Sequence, residues 1–225
     1  MANATLHYLY DPYCGWCFGA APMLTAAQAI EGLHVEPHGI GMLAGPGRKM
    51  MSPEWRDFVR PHELRITALS HAEFGAPYIN GILEDSSVVL DSSIPTAAML
   101  AAEQLSGRGL EMLKRLQRAY YIEGKPIADR DVILQTADEL GFDHQTFAKT
   151  FEDVVATSLD SHIKKSSHFL AALGAHGVPA FALQVGDKVE PFPIGRFYGK
   201  PERFAEEIRA RLAAVQEPKE ASSNL

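Results

Sequence analysis

The chain has 225 residues, 46% of them hydrophobic and 22% charged, with a formal net charge of -7 at pH 7. That length supports one large domain, or one domain carrying an insertion, with a core that needs no disulfide staples. The acidic balance excludes non-specific attraction to nucleic-acid backbones. No apolar run approaches the ~20 residues of a membrane crossing, so neither nucleic acid nor membrane is an expected partner.

The opening MANATLHYLYDP lacks a basic start, a long apolar stretch and a small-residue cleavage pattern, which predicts a cytoplasmic protein. TLHYLY, residues 5 to 10, reads as a buried strand that ends in the turn residues Asp11 and Pro12. Residues 15 to 31 read as a helix and 33 to 40 as a second strand, giving a strand-helix-strand opening, with a glycine-rich loop over 41 to 47.

From about 52 to 174 helical signals dominate, and at least four helices are expected. Ser93 with Pro95 predicts a capped helix over 95 to 105, and a second helix runs from Gly109 to Tyr121. The basic residues Arg108, Lys114, Arg115 and Arg118 alternate there with Leu110, Leu113 and Leu116 and read as a solvated face. Asp129 caps a helix that Gly141 stops. Phe142 and Phe147 flank a capping Asp143 as a hydrophobic staple, and Val155, Leu159, Ile163 and Leu170 carry one longer helix to Gly174. Residues 178 to 185 and 188 to 194 then predict a hairpin about Gly186-Asp187, and 200 to 214 a closing amphipathic helix. Residues 216 to 225 read as a flexible tail.

The two cysteines of the chain, Cys14 and Cys17, stand three positions apart at the junction of the first strand and helix. With Cys14 as N-cap and Cys17 in the first turn, both sulfurs meet at one exposed helix end, where unpaired amides favour a thiolate at Cys14. Cys14 at the tip attacks; Cys17, one turn inward, resolves the mixed disulfide intramolecularly. A structural zinc site wants a second cysteine pair, and His162, His168 and His176 lack finger spacing, so no metal is expected. A pair of inert buried cysteines leaves the strand-loop-helix setting and the aromatic neighbours Tyr13, Trp16 and Phe18 as coincidence.

CGWC opening a helix after YDPY, with Pro22 five positions beyond Cys17, resembles the active-site helix of the thioredoxin superfamily. GVPAF, 177 to 181, is similar to that superfamily's cis-proline loop, which implies that Val178 and Pro179 face the cysteines and that the Val178 backbone is free to pair with an extended substrate. The element order resembles the DsbA-like family, nearest its cytoplasmic FrnE-like branch and the 2-hydroxychromene-2-carboxylate isomerases. The resemblance implies an α/β, thioredoxin-like fold built from 1 to 48 and 175 to 215, with an inserted all-helical domain over 49 to 174. The helical domain serves as cover for the site or as a dimer surface, so the oligomeric state stays open between monomer and homodimer.

The related isomerases generally carry Ser where Cys14 stands, so this chain favours dithiol chemistry. The middle dipeptide Gly15-Trp16 places no cation beside the nucleophile, the nearest basic residue along the chain being His7, which predicts a weaker oxidant than DsbA. The expectation is a thiol-disulfide oxidoreductase that reduces or isomerises disulfides of protein substrates. Gly15, Trp16, Met42, Val178 and Pro179 would form the substrate rim, with no bound cofactor and glutathione as a candidate electron donor. Two alternatives remain open: a glutathione-dependent isomerase or transferase acting on an aromatic small molecule, and a non-enzymatic holdase or peptide-binding module.

Overall fold

The computed structural model describes residues 4–216. Its centre is β1 (Ala4–Tyr10), a strand buried on both faces, whose apolar and aromatic residues are interrupted only by Thr5 and the buried His7. β2 (Leu33–Gly39) pairs parallel to it on one side. β1 and β2 are joined by α1 (Gly15–Gly19) and α2 (Ala21–Gln28). The single helix expected over 15 to 31 is therefore two helices that meet at Ala20. Pro22 has no N–H to donate and sits in the first turn of α2, where none is needed.

Two-residue strands β3 (Lys49–Met50) and β4 (Val89–Leu90) form a small separate sheet, too short for any periodic signal in the sequence. The helices that follow β3 are α3 (Pro53–Ser70), α4 (Ala76–Asn80), α5 (Ser93–Ser106), α6 (Gly109–Tyr121), α7 (Arg130–Glu139), α8 (His144–Thr157) and α9 (Leu159–Ala172). The caps of α7 and α8 match expectation: Asp129 accepts from Asp131 N–H, and Asp143 accepts from Thr146 N–H with the Phe142 and Phe147 rings 5.3 Å apart.

Three details differ. Ser93 lies inside α5, and the Asp91 carboxylate takes its N–H at 2.9 Å. The long helix expected to reach Gly174 is split into α8 and α9 at Ser158, and Val155 is exposed while Val154 faces the core. Lys114 is not simply solvated: its Nζ reaches back to Thr25 and Gln28 and ties α6 to α2.

The chain returns through β5 (Ala180–Val185), antiparallel to β1, and β6 (Lys188–Pro191), giving the order β2-β1-β5-β6. β6 stops at Pro191 rather than at residue 194 and yields to a turn before α10 (Pro201–Gln216). The expected tail, 216 to 225, lies outside the described residues apart from Gln216. One core fills the space between the sheet, α2 and α10 with Leu6, Tyr8, Met23, Phe181, Phe204 and Ile208. A second, inside the helical layer, gathers Tyr78, Tyr120, Tyr121, Ile133, Phe147 and Phe151. This is the α/β thioredoxin-like sheet with helices inserted between its strands, as expected.

Two features of this frame bear on the cysteines. Leu9 of β1 pairs with Ala180 of β5, so in an antiparallel register the residues just before β5 stand beside those just after β1. Val178 and Pro179 are thereby delivered to Cys14. The second is the approach of α3 to the bare backbone of α1: a Cβ on Gly19 would lie 2.8 Å from Ile66 Cγ2 and 3.0 Å from Ser70 Oγ. Gly19→Ala must push the helices apart and is expected to cost about 1–3 kcal/mol. An unchanged urea midpoint for that variant would contradict the packing.

Candidate active site

Cys14 occupies the N-cap of α1 with an extended backbone (φ -86°, ψ 109°), and its Sγ accepts the Cys17 N–H at 3.4 Å. A sulfur at that point faces the unpaired amides of the first turn and the positive end of the aligned peptide dipoles. On its other side the Cys14 S–H donates to the Val178 carbonyl at 3.3 Å, and the Val178–Pro179 peptide is cis. The carbonyl expected to be free for substrate is thus occupied by the thiol in this state.

The cysteines share a helix end, but that end is not open. Cys14 is 8% exposed and Cys17 is 0% exposed, set in the core beneath it. Burial first, then the hydrogen bond and charge of Cys14, push the Cys17 thiol well above the ordinary cysteine range. Access from solvent therefore runs through Cys14.

The turn that presents Cys14 is organised by Asp11, whose carboxylate is wholly buried. It accepts from Tyr13 N–H at 3.0 Å, Met42 N–H at 2.6 Å and Ser92 Oγ–H at 2.9 Å. The Asp11 carbonyl in turn accepts the Cys14 N–H at 3.0 Å. Ser92, at the N-cap position of α5, gives its hydroxyl to this carboxylate rather than to its own helix.

A cleft of about 230 Å³ opens between the tip of α1 and α3. Gly15, Trp16, Met42 and Val178 line it; Pro179 does not. The opposite wall was not foreseen: Trp55, Phe58, Val59 and His62 of α3, with Ile66 at the base. These follow i, i+3, i+4, i+7 spacing, an amphipathic stripe legible in EWRDFVRPH, but nothing in the letters sets that stripe against the cysteines.

Glu63, buried in the same wall, is held by Tyr78 Oη–H at 2.6 Å and Arg60 at 2.7 Å. Trp16 donates from Nε1 to His62 Nδ1 at 3.4 Å, and its carbonyl accepts from Tyr198 Oη–H at 3.0 Å. The Arg65 guanidinium stands 5.7 Å from the Trp16 ring. One cation, Arg65, is thus close to the Trp16 ring, supplied by α3 rather than by the neighbouring sequence.

The model of the DSBA-like thioredoxin domain matches residues 5–199. The cytosolic disulfide reductase DsbM from Pseudomonas aeruginosa is 44% identical with a TM-score of 0.87, over 93% of this chain and 99% of that one. The chain belongs to the DSBA-like thioredoxin family. A second DsbM structure, with GSH, is 42% identical with a TM-score of 0.86 over the same shares. A candidate protein disulfide isomerase from Nitrosomonas europaea is 18% identical, with a TM-score of 0.78 over 96% of this chain and 100% of that one, a likeness of fold alone. Comparison with curated protein sequences gave no match. As a DSBA-like protein the chain is a thiol-disulfide oxidoreductase with Cys14 and Cys17 as its CxxC pair. Among the described residues no helix is long and apolar enough to cross a membrane.

Asp11→Ala would leave three inward-facing donors without their acceptor, each such group costing about 1–3 kcal/mol. The variant is expected to lose at least about 2 kcal/mol in mildly acidic buffer. Burial raises the Asp11 pKa in the fold, so its stabilising contribution is complete below the unfolded-state pKa and declines as pH rises through the folded one. The gap between wild type and variant in urea denaturation should narrow from acid toward neutral pH; a gap that widens would contradict the assignment.

Proposed function

We propose that this oxidoreductase works in the reducing direction on protein disulfides in the cytosol, with Cys14 as nucleophile and Cys17 as resolving thiol. The observation that carries the reading is the contrast between the two sulfurs at one helix tip, Cys14 on the cleft and Cys17 sealed behind it. The Cys14 thiolate attacks one sulfur of the substrate disulfide; a Cys14–substrate bond forms and the other substrate sulfur leaves as thiolate. Cys17 then gives up its proton and attacks Cys14 Sγ, which forms the Cys14–Cys17 disulfide and releases the second substrate thiol. Burial first, then the hydrogen bond and charge of Cys14, raise the Cys17 pKa and keep that thiol protonated in the resting dithiol; the mixed disulfide removes the Cys14 charge.

The Val178 backbone and the apolar walls of the cleft suit an extended peptide beside the reacting sulfur. Trp16, Met42 and Val178 contact the substrate, Gly15 keeps the tip of α1 bare, and Pro179 sets the direction of Val178. Two glutathione molecules return the internal disulfide to dithiol, the second displacing Cys14 from the first and leaving as oxidised glutathione. The DsbM structure with GSH supports a tripeptide thiol as donor. The DsbM description as a cytosolic disulfide reductase supports both direction and compartment.

Insulin reduction driven by glutathione tests the reading. Wild-type protein should accelerate it and Cys14→Ser should abolish the acceleration, while equilibration with glutathione should place the couple below the about -120 mV of DsbA. Acceleration that survives Cys14→Ser, or a potential at or above that value, would overturn the proposal.

A further inference from the structure

The sheet face crossed by α9 holds a cluster of polar groups that the disulfide chemistry does not use. Strand alternation puts His34, Glu36 and His38 of β2 on one face, and the parallel register sets His7 of β1 opposite Glu36. His7 Nδ1 lies 3.0 Å from His38 Nε2 and 3.3 Å from one Glu36 carboxylate oxygen, and His38 Nε2 is 3.9 Å from the other oxygen. The Phe169 ring of α9 stands 5.0 Å from that of His7 and 5.2 Å from that of His38, closing one side. His7 is buried, His38 has 15% of its side chain exposed and Glu36 46%, so the cluster opens to solvent at the carboxylate.

The tautomer of His7 is fixed from behind. Gln184 Nε2 donates to the Gly186 carbonyl at 3.0 Å, so its Oε1 is the atom facing His7 Nε2 at 2.8 Å, and that nitrogen carries the proton. In its neutral form His7 therefore aims the lone pair of Nδ1 at His38 and Glu36, and one ligand atom from each of the three residues lies within 4.8 Å of the others. Protonated, the same nitrogen would donate to Glu36 instead.

We propose that His7, Glu36 and His38 form a binding site for one zinc-class divalent ion, with the fourth position open to solvent. Zinc at about 2.0–2.1 Å from nitrogen and oxygen in a tetrahedron sets its ligands about 3.3 Å apart; the His7–His38 and His7–Glu36 separations of 3.0 and 3.3 Å match this, and the Glu36 carboxylate must turn to bring that same oxygen toward His38, which is 3.9 Å from the other one. Two imidazoles and one carboxylate suit a borderline transition-metal ion and not magnesium or calcium, which take mostly oxygen. A carbonyl-type acceptor on the distal nitrogen of a ligating His, here Gln184, is the usual supporting arrangement. The site uses neither cysteine, nor His162, which accepts the Gly39 N–H at 3.0 Å. A bound ion would link β1 to β2 and stabilise the folded chain.

The test is calorimetric titration of zinc chloride into tag-free Cys14→Ser/Cys17→Ser protein, which removes thiolate binding. One equivalent should bind, magnesium chloride should not compete, and the thermal midpoint should rise. Glu36→Gln, at a half-exposed position that leaves the fold intact, should weaken binding by more than about tenfold, and Gln184→Leu by about 10–100-fold. Cobalt chloride in the same protein should give the intense visible bands of a four-coordinate ion. Absence of zinc binding, or binding of equal strength in Glu36→Gln, would overturn the site and leave a hydrogen-bonded trio.

Discussion

The buried carboxylate of Asp11 is the constraint on which the arrangement turns. Its three donors come from three places in the chain: the turn after β1, the loop after β2 and the start of α5. One side chain thus fixes the turn after β1, the cleft lining at Met42 and the helical layer in a single geometry. Cys14, hydrogen-bonded to the same residue's carbonyl, inherits that geometry. Those donors offset part of the cost of burying a carboxylate, and burial still raises its pKa.

From this fixed turn the chemistry follows by difference in environment. A CxxC pair on a helix would by itself bring two similar thiols to one surface. Here Cys17 is wholly buried in the core that the sheet, α2 and α10 enclose, while α3 packs close over Gly15 and Gly19 on the other side of α1 and Cys14 faces the cleft. The antiparallel pairing of β5 sets Val178 against the same sulfur. The two thiols are distinguished by packing, not by their own chemistry.

Much of this was legible in the letters, and the failures have physical causes. The CGWC motif after a buried strand and the Val178–Pro179 loop before another identify the frame, because the strand-to-helix junction and the cis-proline loop are local in sequence. Caps at Asp129 and Asp143 were likewise local and correct. The α3 wall was not legible, since Trp55, Phe58 and His62 advertise an amphipathic helix without naming its partner. By the same limit Arg65, remote along the chain, gives no sign in the sequence of standing near Trp16. The divisions at Ala20 and Ser158 escaped because apolar periodicity continues across them while the backbone does not. The His7, Glu36 and His38 cluster depends on strand register, which no single strand declares.

In the proposed mechanism Cys14 makes the intermolecular bond and Cys17 the internal one. Its most direct test is peptide mass mapping after brief exposure of the single-serine variants to oxidised glutathione. Cys17→Ser should accumulate one glutathione adduct on Cys14, and Cys14→Ser should remain unmodified at Cys17 over the same interval. Glutathione on Cys17 at a comparable rate would contradict the division of roles.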